Sequence, residues 1–368
     1  MEGVESMNQV VAEDLAYIYA KLQDKEKAKF DNCSIVITGC AGFLGFYLMH
    51  FLNMFSRELG IRRIIGLDNF QLRKPEWLTH LAESSKNIEI HEFNVVKDHI
   101  DSIRGTASAN FVIHMASIAS PSFYRKYPLE TLDANVWGLR HLLDFYKTIK
   151  IKGFLFLSSS EIYGDPPADR IPTSEDYRGN VSSIGPRACY DEAKRFGETL
   201  CYLFAKQYQI PITIARPFNN YGPGMDLEDK RVPADFAKAV VENRDIEMYS
   251  DGTPTRTFCY IADATMGYLK VLTHSEFECF NIGTDSPEIS IRDLAGIYQK
   301  TAHQLFSYSG TTRFAVPPEQ DYLTHNPNRR CPDITKAKNL LKYEPTIDVG
   351  TGVRRFLTFL YTSRRIQQ

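Results

Sequence analysis

The sequence predicts an α/β protein: a doubly wound parallel sheet followed by a smaller α/β lobe. Three observations carry this. Short apolar runs of strand length alternate with helical patterns from Ser34 to Arg216. A glycine-rich turn, Thr38-Gly39-Cys40-Ala41-Gly42-Phe43-Leu44-Gly45, joins the first run to an apolar helical stretch. Beyond Arg216 the alternation loosens, with prolines and glycines at Pro217, Gly222, Pro223, Gly224, Gly252 and Pro254. Strands that alternate with helices bury a parallel sheet between helical layers.

In chain order, residues 10–29 place Val11, Leu15, Ile18 and Leu22 three or four apart, which predicts a helix. Ser34–Thr38 is the first strand, and Phe43–Phe55 the apolar helix after the turn. Strands follow at Arg63–Leu67, Ile88–Phe93 and Asn110–His114, then a helix over Pro128–Lys147. A strand at Gly153–Ser158, a helix from Tyr190 to Gln207 and a strand at Ile212–Arg216 complete the pattern. The expected division is an N-terminal helical extension over 1–30, a nucleotide-binding domain over 31–215, and a substrate-side lobe over 216–368 from which segments return to the sheet.

A length of 368 residues suits two lobes at about 150 residues per domain. With 43% hydrophobic and 24% charged residues, neither bulk disorder nor a fibre is expected. A formal net charge of −2 with both signs mixed gives no footprint for nucleic acid or an anionic membrane. No apolar run nears the roughly 18 residues that span a bilayer, and Met1–Asn8 is polar and acidic, unlike a secretory signal. The seven cysteines (33, 40, 189, 201, 259, 279, 331) are scattered without a C-x-x-C pair, which predicts reduced thiols in a cytoplasmic protein. Histidines 50, 80, 91, 99 and 114 show no ligand spacing, so no metal is expected.

Gly39, Gly42 and Gly45 allow a tight turn and close approach to a pyrophosphate, whose charge is favoured at the helix N-terminus that follows. The spacing is G-x-x-G-x-x-G, and the strand before it and helix after it supply the context. Asp68 ends the second strand 23 residues after Gly45, where an acidic side chain accepts hydrogen bonds from ribose hydroxyls. Its charge favours NAD over NADP, while Arg73 and Lys74 nearby leave NADP open. Tyr190 and Lys194 lie one turn apart, so the Lys194 ammonium is expected to draw the Tyr190 phenol towards working pH. Such a phenolate takes a proton from a sugar hydroxyl as hydride leaves its carbon, with Ser159 at a strand end bridging the proton.

Taken together with Ser158–Gly164, His114–Ser117, Asn135–Gly138, Arg216–Pro223, Arg256–Asp263 and Asn281–Gly283, these motifs resemble the extended short-chain dehydrogenase/reductase family from about Ser34 to Leu360. Within it the chain is most similar to the nucleotide-sugar epimerases, dehydratases and decarboxylases. Ser159–Pro166, Ile184–Arg195, Ala116–Pro121 and Arg329–Ile334 are most like the UDP-glucuronate decarboxylases. The dehydratases carry aspartate then glutamate after the shuttle hydroxyl, where this chain has Ser160 and Glu161; the epimerases usually lack a carboxylate at Glu161.

The resemblance implies a Rossmann-like domain holding NAD through Gly39, Gly42, Phe43, Leu44, Gly45, Asp68, Asn69, Asn94, Val95, Ala116, Tyr190 and Lys194. It implies Tyr190, Lys194, Ser159, Ser160 and Glu161 as catalytic, and Ser120, Glu161, Asn219, Arg231, Arg256 and Arg330 as contacts to a UDP-sugar. Arg256 is left open between a substrate carboxylate, a diphosphate and a structural salt bridge. The implied reaction is C4 oxidation and loss of the C6 carboxylate with NAD recycled; epimerisation and dehydration are the alternatives. A non-catalytic NAD(H) sensor has no need of the proton relay. A homodimer through the central helix and the Tyr190 helix is implied as well. Departures from the decarboxylase pattern stand at Ile118, Ser122, Phe123, Gly224 and Asn94.

Overall fold

The computed structural model describes residues 7–317, 324 and 326–366. Met1–Ser6, at the start of the expected extension, lie outside the described residues. Seven parallel strands form the main sheet: β1 (Cys33–Thr38), β2 (Ile61–Asp68), β3 (Ile88–Glu92), β4 (Phe111–His114), β5 (Gly153–Leu157), β6 (Ile212–Pro217) and β7 (Glu278–Ile282). Their order is β7-β6-β5-β4-β1-β2-β3. The order reverses between β1 and β4, so the connections leaving the carboxyl ends there diverge to opposite faces and open a crevice. β7 comes from the far side of the second lobe and adds to the sheet edge beside β6.

Helices cover both faces, which is why the strands read as continuous apolar runs instead of alternating ones. All six residues of β1 are buried, yet they serve two cores. Ile35 and Ile37 pack with Tyr47 and Leu48 on one face, while Val36 packs with Val112, Leu142 and Phe154 on the other.

The single helix expected over 10–29 is two, α1 (Gln9–Lys21) and α2 (Asp24–Ala28). Gln23 between them is extended, and its backbone amide donates to Glu26 at 2.8 Å, a capping box that restarts the helix. The helix expected over 128–147 contains a π turn at Ala134–Gly138. Asn135 in that turn is fully buried and donates to Thr131 O at 2.7 Å and Ser117 Oγ at 2.9 Å, pinning the helix beneath the crevice.

The second lobe is built from short pieces: a ladder of Ile246–Met248 with Thr312–Phe314, and Thr255–Arg256 between Ile289–Ser290 and Arg329–Arg330. Helix α1 packs against Ile261–Leu272 and Val349–Ile366. Its Asp14 is fully buried; it accepts hydrogen bonds from Tyr47 and Tyr260, both at 2.6 Å, and pairs with Arg355. No helix among the described residues is long and apolar enough to cross a membrane.

Candidate active site

A cavity of about 720 Å³ runs along the carboxyl ends of the sheet strands, between the sheet and the second lobe. One end is the glycine turn. Gly39 has φ +75°, and a Cβ there would sit 2.7 Å from Ala116 N. At Gly45 a Cβ would meet Cys40 O at 2.1 Å, so both glycines are needed for the turn to close against its neighbours. Gly42 is different: the nearest atom to its Cβ would be Gly39 O at 3.4 Å, and the remaining space belongs to the cavity. That is a cradle a side chain would fill, and it fits a pyrophosphate at the start of helix Phe43–Met54.

Asp68, at the end of β2, accepts from Ala41 N at 3.0 Å and Phe70 N at 2.9 Å. Burial raises its carboxyl above the ordinary range, opposed by those amides. Each oxygen keeps a lone pair for a ribose hydroxyl. The bases that left NADP open are engaged elsewhere: Arg73 pairs with Asp226 at 3.1 Å and Lys74 sits over the Phe70 ring. Asn94 spends its side-chain oxygen on Val96 N at 2.9 Å. Phe43, Leu44, Asn69, Val95 and Ala116 line the same end.

At the centre stand Ser159, Tyr190 and Lys194. The 21-residue helix Ala188–Tyr208 carries the last two, and the strand end at β5 carries the first. The Ser159 hydroxyl accepts from Glu161 N at 3.2 Å and acts on the Tyr190 phenol as a neighbour that favours its ionised form. Burial pushes Tyr190 up to about 12, opposed by Ser159 and Arg231 and reinforced by Glu161 and Asp191. Lys194 donates to Leu157 O at 2.6 Å, its nitrogen 5.7 Å from the Tyr190 ring centre. Burial pulls it down to about 7. In this geometry desolvation of the phenol works against the pull expected from the Lys194 ammonium. Behind Lys194, His114 is fully enclosed, held near 3 by burial and the Lys194 charge, and shares a 2.7 Å hydrogen bond with Thr38.

Glu161 faces the cavity beside Tyr190, paired with Arg187 and with Arg330 at 2.9 Å. Burial favours its neutral form, but Arg330, Arg187 and Arg256 together hold it below the ordinary glutamate range. Arg330 also donates to Ser160 O at 2.9 Å; it does not line the cavity and reaches it only through these partners. Arg256 forms no salt bridge among the described residues. Its guanidinium donates to the carbonyls of Thr255, Pro327 and Asn328, and burial with the Arg330 charge lowers it to about 10. Arg231 takes a bidentate pair with Asp229, both contacts 2.6 Å, over the Phe43 ring. Ser120 donates to Asp229 O at 2.5 Å, and Asn219 to Thr257 O at 3.0 Å. Both Ser120 and Asn219 line the cavity.

Reading the sequence missed three residues here: Arg187, Asp191 and Tyr124. Arg187 and Asp191 are four apart on the helix of Tyr190, so the helical period that linked Tyr190 to Lys194 was the available signal. Gly224 has φ +85°, and a Cβ there would lie 2.7 Å from Phe46 Cβ, which leaves no room for arginine.

Residues 35–283 match the model of the NAD dependent epimerase/dehydratase family. The chain belongs to this family. Its members are enzymes, and the family's cofactor is NAD. UDP-glucuronic acid decarboxylase 1 of Xenopus tropicalis is 33% identical over 97% of the chain and 82% of its own length. UDP-glucuronic acid decarboxylase 5 of Arabidopsis thaliana is 33% identical over 88% and 87%. Among solved structures, UDP-glucuronic acid 4-epimerase of Bacillus cereus with UDP-glucuronic acid and NAD has TM-score 0.70 at 26% identity, covering 90% of this chain and 99% of that one. UDP-glucose 4-epimerase of Thermotoga maritima shares the fold at TM-score 0.77 and 24% identity, over 90% and 99%.

Proposed function

We propose that this family member decarboxylates a UDP-uronic acid, converting UDP-glucuronate to UDP-xylose. The observation that carries the reading is Glu161, a carboxylate in the cavity wall beside Tyr190 whose charge is taken up by Arg187 and Arg330. Arg187 and Arg330 are thus committed to the protein's own carboxylate, and a substrate carboxylate placed there finds neither of them free. Removing such a group as carbon dioxide relieves an unpaired charge in a water-poor site. The decarboxylase relatives support the same reading.

Gly39–Gly45, Asp68 and Asn94 would hold NAD, which when bound accepts hydride from the sugar C4 and returns it. Tyr190 takes the C4 hydroxyl proton, and Ser159 orients that hydroxyl. With a ketone at C4, the C6 carboxylate is β to a carbonyl and leaves with its bonding electrons delocalised onto the C4 oxygen. After C5 gains a proton, Tyr190 returns its proton to the C4 oxygen. Arg256, held by main-chain carbonyls and without a carboxylate, suits a diphosphate, whereas Arg231 would have to leave Asp229 to meet one.

The test is an NMR time course of the protein with NAD⁺ and UDP-glucuronate. UDP-xylose with carbon dioxide is the expected result. UDP-galacturonate would mean an epimerase, and unchanged substrate in NAD-loaded protein would refute both. We further propose a homodimer, supported by the exposed apolar side chains Leu129, Leu132 and Trp137 on the central helical segment and Phe196 and Leu203 on the Tyr190 helix. Seven unpaired cysteines fit a cytoplasmic setting.

A further inference from the structure

The glycine cradle is encircled by contacts from both lobes. On one side Asp68 accepts from Ala41 N, inside the turn, at 3.0 Å and from Phe70 N at 2.9 Å, which ties residues 69–74 to the turn. Phe70 takes φ +51°, a left-handed bend, and Lys74 lies over its ring at 5.1 Å. On the other side residues 222–231 lean on the helix that follows the turn. A Cβ on Gly224 would lie 2.7 Å from Phe46 Cβ, and the Arg231 guanidinium sits 5.6 Å from the centre of the Phe43 ring. Ser120 fastens the same segment by donating to Asp229 O at 2.5 Å.

The two segments meet in an ion pair. Arg73 Nη1 lies 3.1 Å from Asp226 Oδ2, and Leu72, Arg73, Met225 and Asp226 all line the cavity that the glycine turn closes at one end. Asp226 is itself held, because its Oδ1 accepts from Glu228 N at 3.0 Å and so leaves Oδ2 to face the arginine. The contacts thus run in a ring from Ala41 through Asp68 to Arg73, across to Asp226, and back through Gly224 to Phe46. A pyrophosphate cradled at Gly42 lies within that ring. The ion pair is a link that salt can reach, since its side chains are 44% and 32% exposed.

We propose that the Arg73–Asp226 pair is a clasp that closes the two lobes over the dinucleotide, so that NAD leaves only when the pair opens. Gly224, one of the departures in the sequence, makes the clasp possible: without a side chain the segment lies flat on Phe46 and brings Asp226 within reach of Arg73. In the proposed cycle the nicotinamide takes a hydride and gives the same hydride back, so nothing is gained by releasing it between turnovers. The clasp rests on the family's cofactor alone and holds whichever nucleotide sugar is turned over.

The experiment loads the protein with isotope-labelled NAD⁺, adds excess unlabelled NAD⁺, and follows loss of label from the protein by rapid filtration. Wild-type exchange should quicken as salt is raised from about 0.02 M to about 0.5 M, which screens the pair. Arg73→Gln and Asp226→Asn should each exchange about 2- to 5-fold faster at low salt, the range that an ion pair open to solvent supports. Asparagine keeps an acceptor for Glu228 N, so the second variant removes the charge and spares the turn. The double variant should be no faster than either single one, because all three lack the same contact, and all three should lose the salt dependence. Denaturation midpoints equal to that of wild type show that the rates report the clasp and not partial unfolding. Variants that exchange at the wild-type rate, or wild-type exchange that ignores salt, would overturn the clasp. Faster exchange in Arg73→Gln without faster exchange in Asp226→Asn would overturn it too, because Arg73 would then be holding the dinucleotide directly.

Discussion

Replacing Lys194 with methionine should make the protein less active and more stable, and the gain should depend on pH in a calculable way. The side chain is buried, and burial drops its pKa from 10.5 to about 7. At about 1.36 kcal/mol per unit, keeping the lysine costs the folded state about 4 kcal/mol near pH 7. Methionine removes that cost but leaves Leu157 O, now bonded at 2.6 Å, without its donor, a loss of about 1–3 kcal/mol. The net expectation is a gain of about 1–3 kcal/mol at pH 7. The sign of its pH dependence follows from proton counts. Between pH 7 and 10.5 the unfolded lysine still holds a proton that the folded one has released, so wild-type stability rises with pH across that window. The advantage of Lys194→Met should therefore shrink by about 2 kcal/mol between pH 7 and pH 9. Urea denaturation of both proteins across that range measures it. A stability difference that stays constant with pH would show that the buried amine does not titrate there, and the electrostatic account of this site would fall.

Other expectations are as direct. Tyr190→Phe should cut turnover about 10²–10⁴-fold while NAD binding, read by fluorescence titration, is unchanged; an active variant would move the proton shuttle elsewhere. Gly42→Ala should fold normally and bind NAD more weakly, whereas Gly39→Ala should lower the denaturation midpoint; equal effects of the two would contradict the separate roles of cradle and turn. Asp14→Ala strands two tyrosine hydroxyls and Arg355 and should cost about 3–5 kcal/mol in urea denaturation. Trp137→Glu should shift a dimer towards monomer in sedimentation; an unchanged boundary places any dimer contact on another face.

The parts of the fold legible in the sequence are those whose signal is local. Ser34–Thr38, the glycine turn and the helix after it can be read because each residue type answers a nearby backbone demand. Asp68 and Tyr190–Lys194 follow from fixed spacing along a strand or helix. The π turn at Ala134–Gly138 escapes such reading because it depends on Asn135 meeting Ser117, 18 residues away. The two-residue strands at Thr255–Arg256, Ile289–Ser290 and Arg329–Arg330 exist only through pairing with one another and have no periodicity to detect. Arg330 shows the same limit: its motif marks it as important, but only the fold shows that it serves Glu161 from behind.

The match to the family model begins at residue 35, but mechanical unity begins earlier. Asp14 touches Tyr47, on the helix that starts at the glycine cradle, and Tyr260, at the entrance to a helix of the other half. The leading helix thus works as a keystone between the half that carries the glycine turn and the half that carries the short-stranded lobe. A fragment trimmed to begin at residue 35 would keep every chemical group of the site and lose the piece that fixes the distance between them.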